Sequence, residues 1–156
     1  MPSILNQQII DHAIEQFSTL APDAEPEWGT LNGQGVIEHL IGSFRYALGE
    51  LGNNGFQGNW ASKNLLWNLL RFDLISVPKN VKFKDDHGEQ APAVSSEGDV
   101  QALKEIMEAS LTRLYDNPDR PPHPFFGDIG GKGWARFHVI HLEHHLKQFG
   151  LKPKSA

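Results

Sequence analysis

The amino-acid sequence predicts an all-α, bundle-type fold. Two observations carry that prediction: apolar residues recur at spacings of three and four in five separate segments, and proline and glycine clusters fall between those segments. A third is negative, since no run alternates apolar and polar residues as a half-buried strand would, and no internal repeat is present. At 156 residues, the chain has the size of one ordinary domain and can bury about 70% of the surface its unfolded form exposes. A single domain over residues 1–156 is the expectation.

The first helix is expected over residues 3–20, where Ile4, Ile9, Ile10, Ala13, Ile14, Phe17 and Leu20 form one stripe. A Pro-containing link leads to a second helix over residues 32–51. Its main face holds Ile37, Leu40, Ile41, Phe44, Leu48 and Leu51, and Gly52-Asn53-Asn54-Gly55 ends it. The third, residues 60–75, is apolar nearly all the way round, which predicts a central or covered helix buried on several sides. Residues 77–95 contain Pro78, Pro92 and a polar run around His87, and read as a long surface loop. Ser96 with Asp99 forms an approximate capping pattern for a fourth helix, whose stripe is Val100, Leu103, Met107, Leu111 and Leu114. Residues 119–127 hold too many prolines for a helix, yet Phe125 and Phe126 should lie on the bundle. The last helix is expected to begin around residues 131–134 and to end at Phe149, with Gly150 as its cap.

Composition narrows the function. The chain has no cysteine, which rules out disulfides, thiolate metal sites and a protein-borne thiol nucleophile. Net charge is -5 and the 14 Lys and Arg residues are scattered, so no nucleic-acid partner is expected. No apolar run approaches the roughly 18 residues of a membrane span, and the first residues lack the pattern of a secretory signal. A soluble cytoplasmic protein without a membrane partner is the expectation.

Histidine is the one compositional skew, with eight in the chain and four of them within residues 138–145. At ~100° per residue, His138, His141 and His145 fall on one stripe with Trp134 and Gln148, while His144 lies further round and Glu143 points away. An i, i+4 pair such as His141 and His145 can reach a single ion. The spacing alone is a weak signal, and it admits His138 as readily; satisfied core histidines would look the same. On the second helix, His39 lies off the main apolar stripe and shares a face with Gly35, Gly42, Ser43 and Tyr46. Each of those glycines costs about 1 kcal/mol of helix propensity relative to alanine, which points to close packing or a cavity beside the imidazole. His12 and His87 are expected to be solvated, and His123, between prolines, to sit in a surface turn, with a place over the bundle mouth as the alternative.

Trp28-Gly29, the Glu38-His39-Leu40 segment, His123-Pro-Phe-Phe-Gly127, and His141-Leu-Glu-His144-His145-Leu-Lys-Gln148 resemble the DinB/YfiT-like metalloenzymes, in an uncharacterised bacterial branch. The resemblance covers most of the chain in helix order. It implies a four-helix bundle with an extra helical segment and two long loops, and a mononuclear zinc or nickel site on His39, His141 and His145. His144 and Gln148 would then lie beside the ligands and orient them or a bound water; His138, on the same stripe, is a candidate for that role too. One departure is Leu146-Lys147, where such proteins commonly carry Arg-Gly, and it leaves the substrate contacts open.

Three histidines with an open fourth position form the arrangement of a catalytic zinc site. Thiol S-transferases and a thiol-dependent isomerase occur in the wider family, so the resemblance implies a small-molecule substrate, with a low-molecular-weight thiol as the leading candidate. A metal-dependent hydrolase and a non-catalytic small-molecule-binding or stress-response bundle are the alternatives, and the last helix is also a candidate face for a homodimer.

Overall fold

The computed structural model describes residues 2–77 and 97–154. Among these residues the chain is all-helical, with five helices and no strand: α1 (Gln7–Phe17), α2 (Gly33–Ala47), α3 (Trp67–Arg71), α4 (Val100–Asp116) and α5 (Gly130–Gln148). A π-helical stretch, Ala61–Leu66, runs directly into α3. Most of the expected 77–95 loop lies outside the described residues, as do Ser96 and His87.

Side-chain caps set where three helices begin. Asn6, Asn32 and Asp99 are each extended, and each side-chain oxygen accepts from the backbone N–H three residues on, at Ile9, Gly35 and Ala102. The cap at Asn6 starts α1 later than the apolar stripe alone suggests, and Ile4 and Leu5 pack on the core from outside the helix. Past Ala47, Gly49 takes φ of 82°, so α2 stops short of Leu51. Gly150, at φ 70°, closes α5 as expected.

Helices α1, α2, α4 and α5 enclose the main core. Helix α4 packs on α1, α2 and α5, and α5 also contacts α1, α2 and α3. The fully buried members Ile10, Phe17, Leu40, Phe44, Leu103, Met107, Leu114 and Leu142 come from all four long helices, and most stood in the expected stripes. None of the described helices is long and apolar enough to cross a membrane.

The third helix departs from expectation. Trp67 and Leu70 are buried against Phe126 and Ile140, and Trp67 stacks on Phe126 at 5.0 Å. The rest of this segment is not central: Leu65 is 55% exposed, Phe72 53% and Leu74 68%. An apolar circumference predicts burial only if neighbours exist on every side, and among the described residues α5 is the one long helix with an extensive interface on α3.

Arg136 of α5 joins this peripheral helix to the bundle. Its buried guanidinium donates to the Arg71 carbonyl at 2.9 Å, to the Ser3 carbonyl at 2.8 Å and to the Asp73 carboxylate. Replacing Arg136 by Met removes all three and leaves the part-buried carbonyls short of donors. Arg136→Met should therefore lower stability by about 2–3 kcal/mol, measured by urea denaturation. A loss below about 0.5 kcal/mol would show that the junction holds nothing together.

Candidate metal centre

Three histidines from two crossing helices meet at one point. His39 projects from the middle of α2, and His141 and His145 from successive turns of α5. His141 Nε2 lies 3.0 Å from His39 Nε2 and 2.9 Å from His145 Nε2. The three donor atoms all lie within 4.8 Å of one another, a spacing that could hold a metal ion. Among the described residues, no carboxylate belongs to the group. The rings meet edge to face, with centroids 4.6–5.0 Å apart.

The surrounding contacts fix the tautomer of His145. Gln148 is buried and donates through Nε2 to the Trp28 carbonyl at 2.9 Å. That carbonyl accepts only, so the amide oxygen must face the other way, where it lies 2.7 Å from His145 Nδ1. His145 Nδ1 therefore carries the ring proton, and Nε2 presents a lone pair to the cluster. On the next turn, Ser43 Oγ stands 3.4 Å from His141 Nδ1, and the Phe137 ring stacks on His141 at 5.1 Å. Ser43, on the small and polar face of α2 that carries His39, thus stands beside the ring of His141. Gly35 does not: a Cβ there would come within 3.1 Å of Asn32 Oδ1, so this glycine serves the helix cap.

His138 shares the stripe but not the cluster. It is fully buried, stacked flat on Phe44 at 3.9 Å, and neither ring nitrogen has a hydrogen-bond partner. His144 is half-buried at the rim, with its ring 5.1 Å from His145 and 5.9 Å from Trp28. Glu143 lies round α5 from the cluster and lines a surface hollow with Ser3, Asn6 and Ile9.

Two histidines need correcting. His123 is not in a surface turn: it is 6% exposed, packed among Phe126, Trp134 and Phe137, and its Nδ1 accepts from the Phe125 and Phe126 backbone amides. Its aromatic neighbours on α5 are sequence-distant, so the proline context alone could not reveal them. His12 is half-buried, with Nε2 2.6 Å from the Lys152 carbonyl, and so helps pin the C-terminal segment to α1.

Burial keeps these rings neutral. Desolvation lowers the His145 pKa to about 3, aided by His39 and His144 and opposed by the hydrogen bond to Gln148. His141 is pushed well below the ordinary value, first by desolvation and then by His145, His39 and two further histidines. Outside the cluster, desolvation takes His123 and His138 to about 3 as well, and His144 is lowered by burial and by Lys147.

A family pattern matches residues 5–152, from just before α1 to just beyond α5. The chain belongs to the DUF1569 family. That family is described as a protein of unknown function, and neither a curated protein nor a solved structure matches the chain. In this DUF1569 member, all three clustered histidines and Gln148 fall inside the matched span.

The neutral histidines make fold stability depend on pH in a definite direction. Unfolded, each titrates near 6.5; folded, His123 and His138 bind no proton until about pH 3. The unfolded chain thus takes up protons first, so stability is fully present above about 6.5 and drains away as pH falls towards 3. Between pH 6.5 and 5 each such histidine should cost about 2 kcal/mol. His138→Leu removes one of them and should flatten the curve by that amount in urea denaturation of metal-free protein. Parallel wild-type and variant curves would contradict this.

Proposed function

We propose that this DUF1569 member is a divalent-metal-dependent enzyme of the DinB/YfiT-like kind, with His39, His141 and His145 as its protein ligands and an open position for a small-molecule substrate. The observation that carries the reading is the convergence of three imidazole nitrogens within 4.8 Å of one another. His145 uses its ring proton on Gln148. His141 Nε2 has imidazole neighbours at 2.9 and 3.0 Å, and a single proton can serve only one of them. The other contact leaves like-polarised nitrogens face to face at about 3 Å, which costs free energy. Protonating a ring would resolve the conflict, but burial opposes that at His141 and His145. A divalent cation satisfies all three lone pairs at once, and imidazole donors suit zinc or nickel.

The all-helical fold, with one ligand on α2 and an i, i+4 pair on α5, supports the DinB/YfiT-like reading. Three protein ligands leave a position that structural zinc would normally close with a fourth. An ion held there supplies Lewis acidity, lowering the pKa of a thiol or water that enters the open position. The chain's own residues then orient the donors: Gln148 holds His145, Ser43 stands behind His141, and Phe137 covers one face of the His141 ring. Since the chain contains no cysteine, any thiolate must arrive with the substrate. Transfer of a low-molecular-weight thiol to an electrophile is the reaction we assign.

Elemental analysis of protein purified without an affinity tag tests the reading. About one zinc or nickel ion per chain is expected, with the ion lost in His145→Ala and in His39→Ala while both variants keep their helical circular dichroism. Metal-free wild-type protein that also fails to take up either ion would overturn it. Given a metal-loaded protein, thiol-conjugation assays then separate transferase from hydrolase.

A further inference from the structure

The two histidines that α5 gives to the cluster are supported in different ways. His145 is held by the hydrogen bond from its Nδ1 to Gln148 at 2.7 Å. His141 has Ser43 Oγ at 3.4 Å from Nδ1, a long contact for a hydroxyl, and the Phe137 ring stacked on it at 5.1 Å. Phe137 stands one turn before His141 on the same face of α5, so its ring sets the plane of the imidazole. Phe137 is braced in turn by His123, whose ring meets it edge to face at 4.4 Å. The position of His123 is itself fixed. Its backbone N–H and C=O both bond to Gly127, at 2.8 and 2.9 Å, and Gly127 takes φ of 77° to close the turn. Its Nδ1 accepts from the Phe125 and Phe126 amides, and the Phe126 ring stacks on it at 4.4 Å. The Trp134 indole N–H, donating to the Pro121 carbonyl at 3.1 Å, pins this turn to α5. An imidazole can accept from backbone amides and present a flat ring at once; phenylalanine offers only the ring, and asparagine only the acceptor.

We propose that His123 and Phe137 are positioning residues of the metal centre: His123 braces the Phe137 ring, and Phe137 sets the plane in which His141 presents Nε2 to the ion. This rests on the metal-site reading above. The turn from His123 to Gly127, which holds no ligand, therefore governs how tightly and in what geometry the ion is bound. A ligand ring turned out of plane points its lone pair away from the ion, and losing the group that orients a metal-bound histidine weakens binding about 10- to 100-fold.

The test titrates Co(II) into full-length protein against a competing chelator, with the visible absorption bands reporting the geometry of the ion. Phe137→Leu removes the flat ring, and His123→Asn keeps an acceptor for the two amides while removing the brace. Each should weaken cobalt about 10-fold or more and shift the bands. Phe137→Tyr keeps the ring and should stay within about threefold of wild type. Ile10→Ala damages the core from α1, which carries none of the clustered histidines, and should leave affinity and spectrum unchanged. Because His123 acts through Phe137, the double variant should bind cobalt no more weakly than Phe137→Leu alone. Either single variant decides the matter if the other fails to fold. Wild-type affinity and bands in a folded Phe137→Leu or His123→Asn would overturn the proposal. So would losses that add in the double variant, or an equal loss in Ile10→Ala. Wild-type protein that shows no cobalt band would contradict the metal-site reading itself, which separates the two failures.

Discussion

The site depends on one crossing, that of α2 over α5, which sets His39 Nε2 3.0 Å from His141 Nε2. The helices bring this about through their apolar faces. Leu40 and Phe44 of α2 are fully buried beside His39, and Phe44 lies flat on His138 of α5, one turn before His141. The same contact that buries core surface therefore fixes the height at which the imidazoles meet. Shifting either helix by one turn, about 5.4 Å, would separate them entirely.

Outside the crossing, backbone groups of the loops hold the ligand rings. The link before α2 is clasped to the end of α5 by the Glu27 amide, which donates to the Gln148 carbonyl at 2.7 Å, and by the Gln148 side chain, which donates to the Trp28 carbonyl. This places a loop carbonyl two hydrogen bonds from His145 Nδ1 and gives that ring one permitted tautomer. On the opposite side of α5, Arg136 ties in α3, and His12 with Gln16 ties in the chain beyond Gly150. The last helix is thus held at both ends, so its two ligands keep their spacing whether or not an ion is present.

Much of this was legible from periodicity and caps. The stripes through Ile10, Leu40, Phe44 and Leu103 named true core residues, because an amphipathic pattern and the burial it produces are one physical fact. The histidine trio was less legible. Helical angle admitted His138 as well, and only the partner helix, through the level of His39, distinguishes a ring that reaches the cluster from one that stacks on Phe44. Three features escaped because they depend on atoms distant in sequence: the aromatic box around His123, the Trp28 carbonyl that orients Gln148, and the Arg136 junction. The exposed flank of α3 escaped for the converse reason, since an apolar segment shows what it could bury but not whether a neighbour is there.

The central claim is that three Nε2 atoms converge because a cation belongs between them. X-ray absorption at the metal edge of zinc- or nickel-loaded protein tests it most directly. The account predicts a first shell containing three imidazole nitrogens at about 2.0–2.1 Å with the multiple-scattering signature of histidine, reduced to two in His39→Ala. A first shell of oxygen donors without histidine scattering, or one unchanged when His39 is removed, would contradict it.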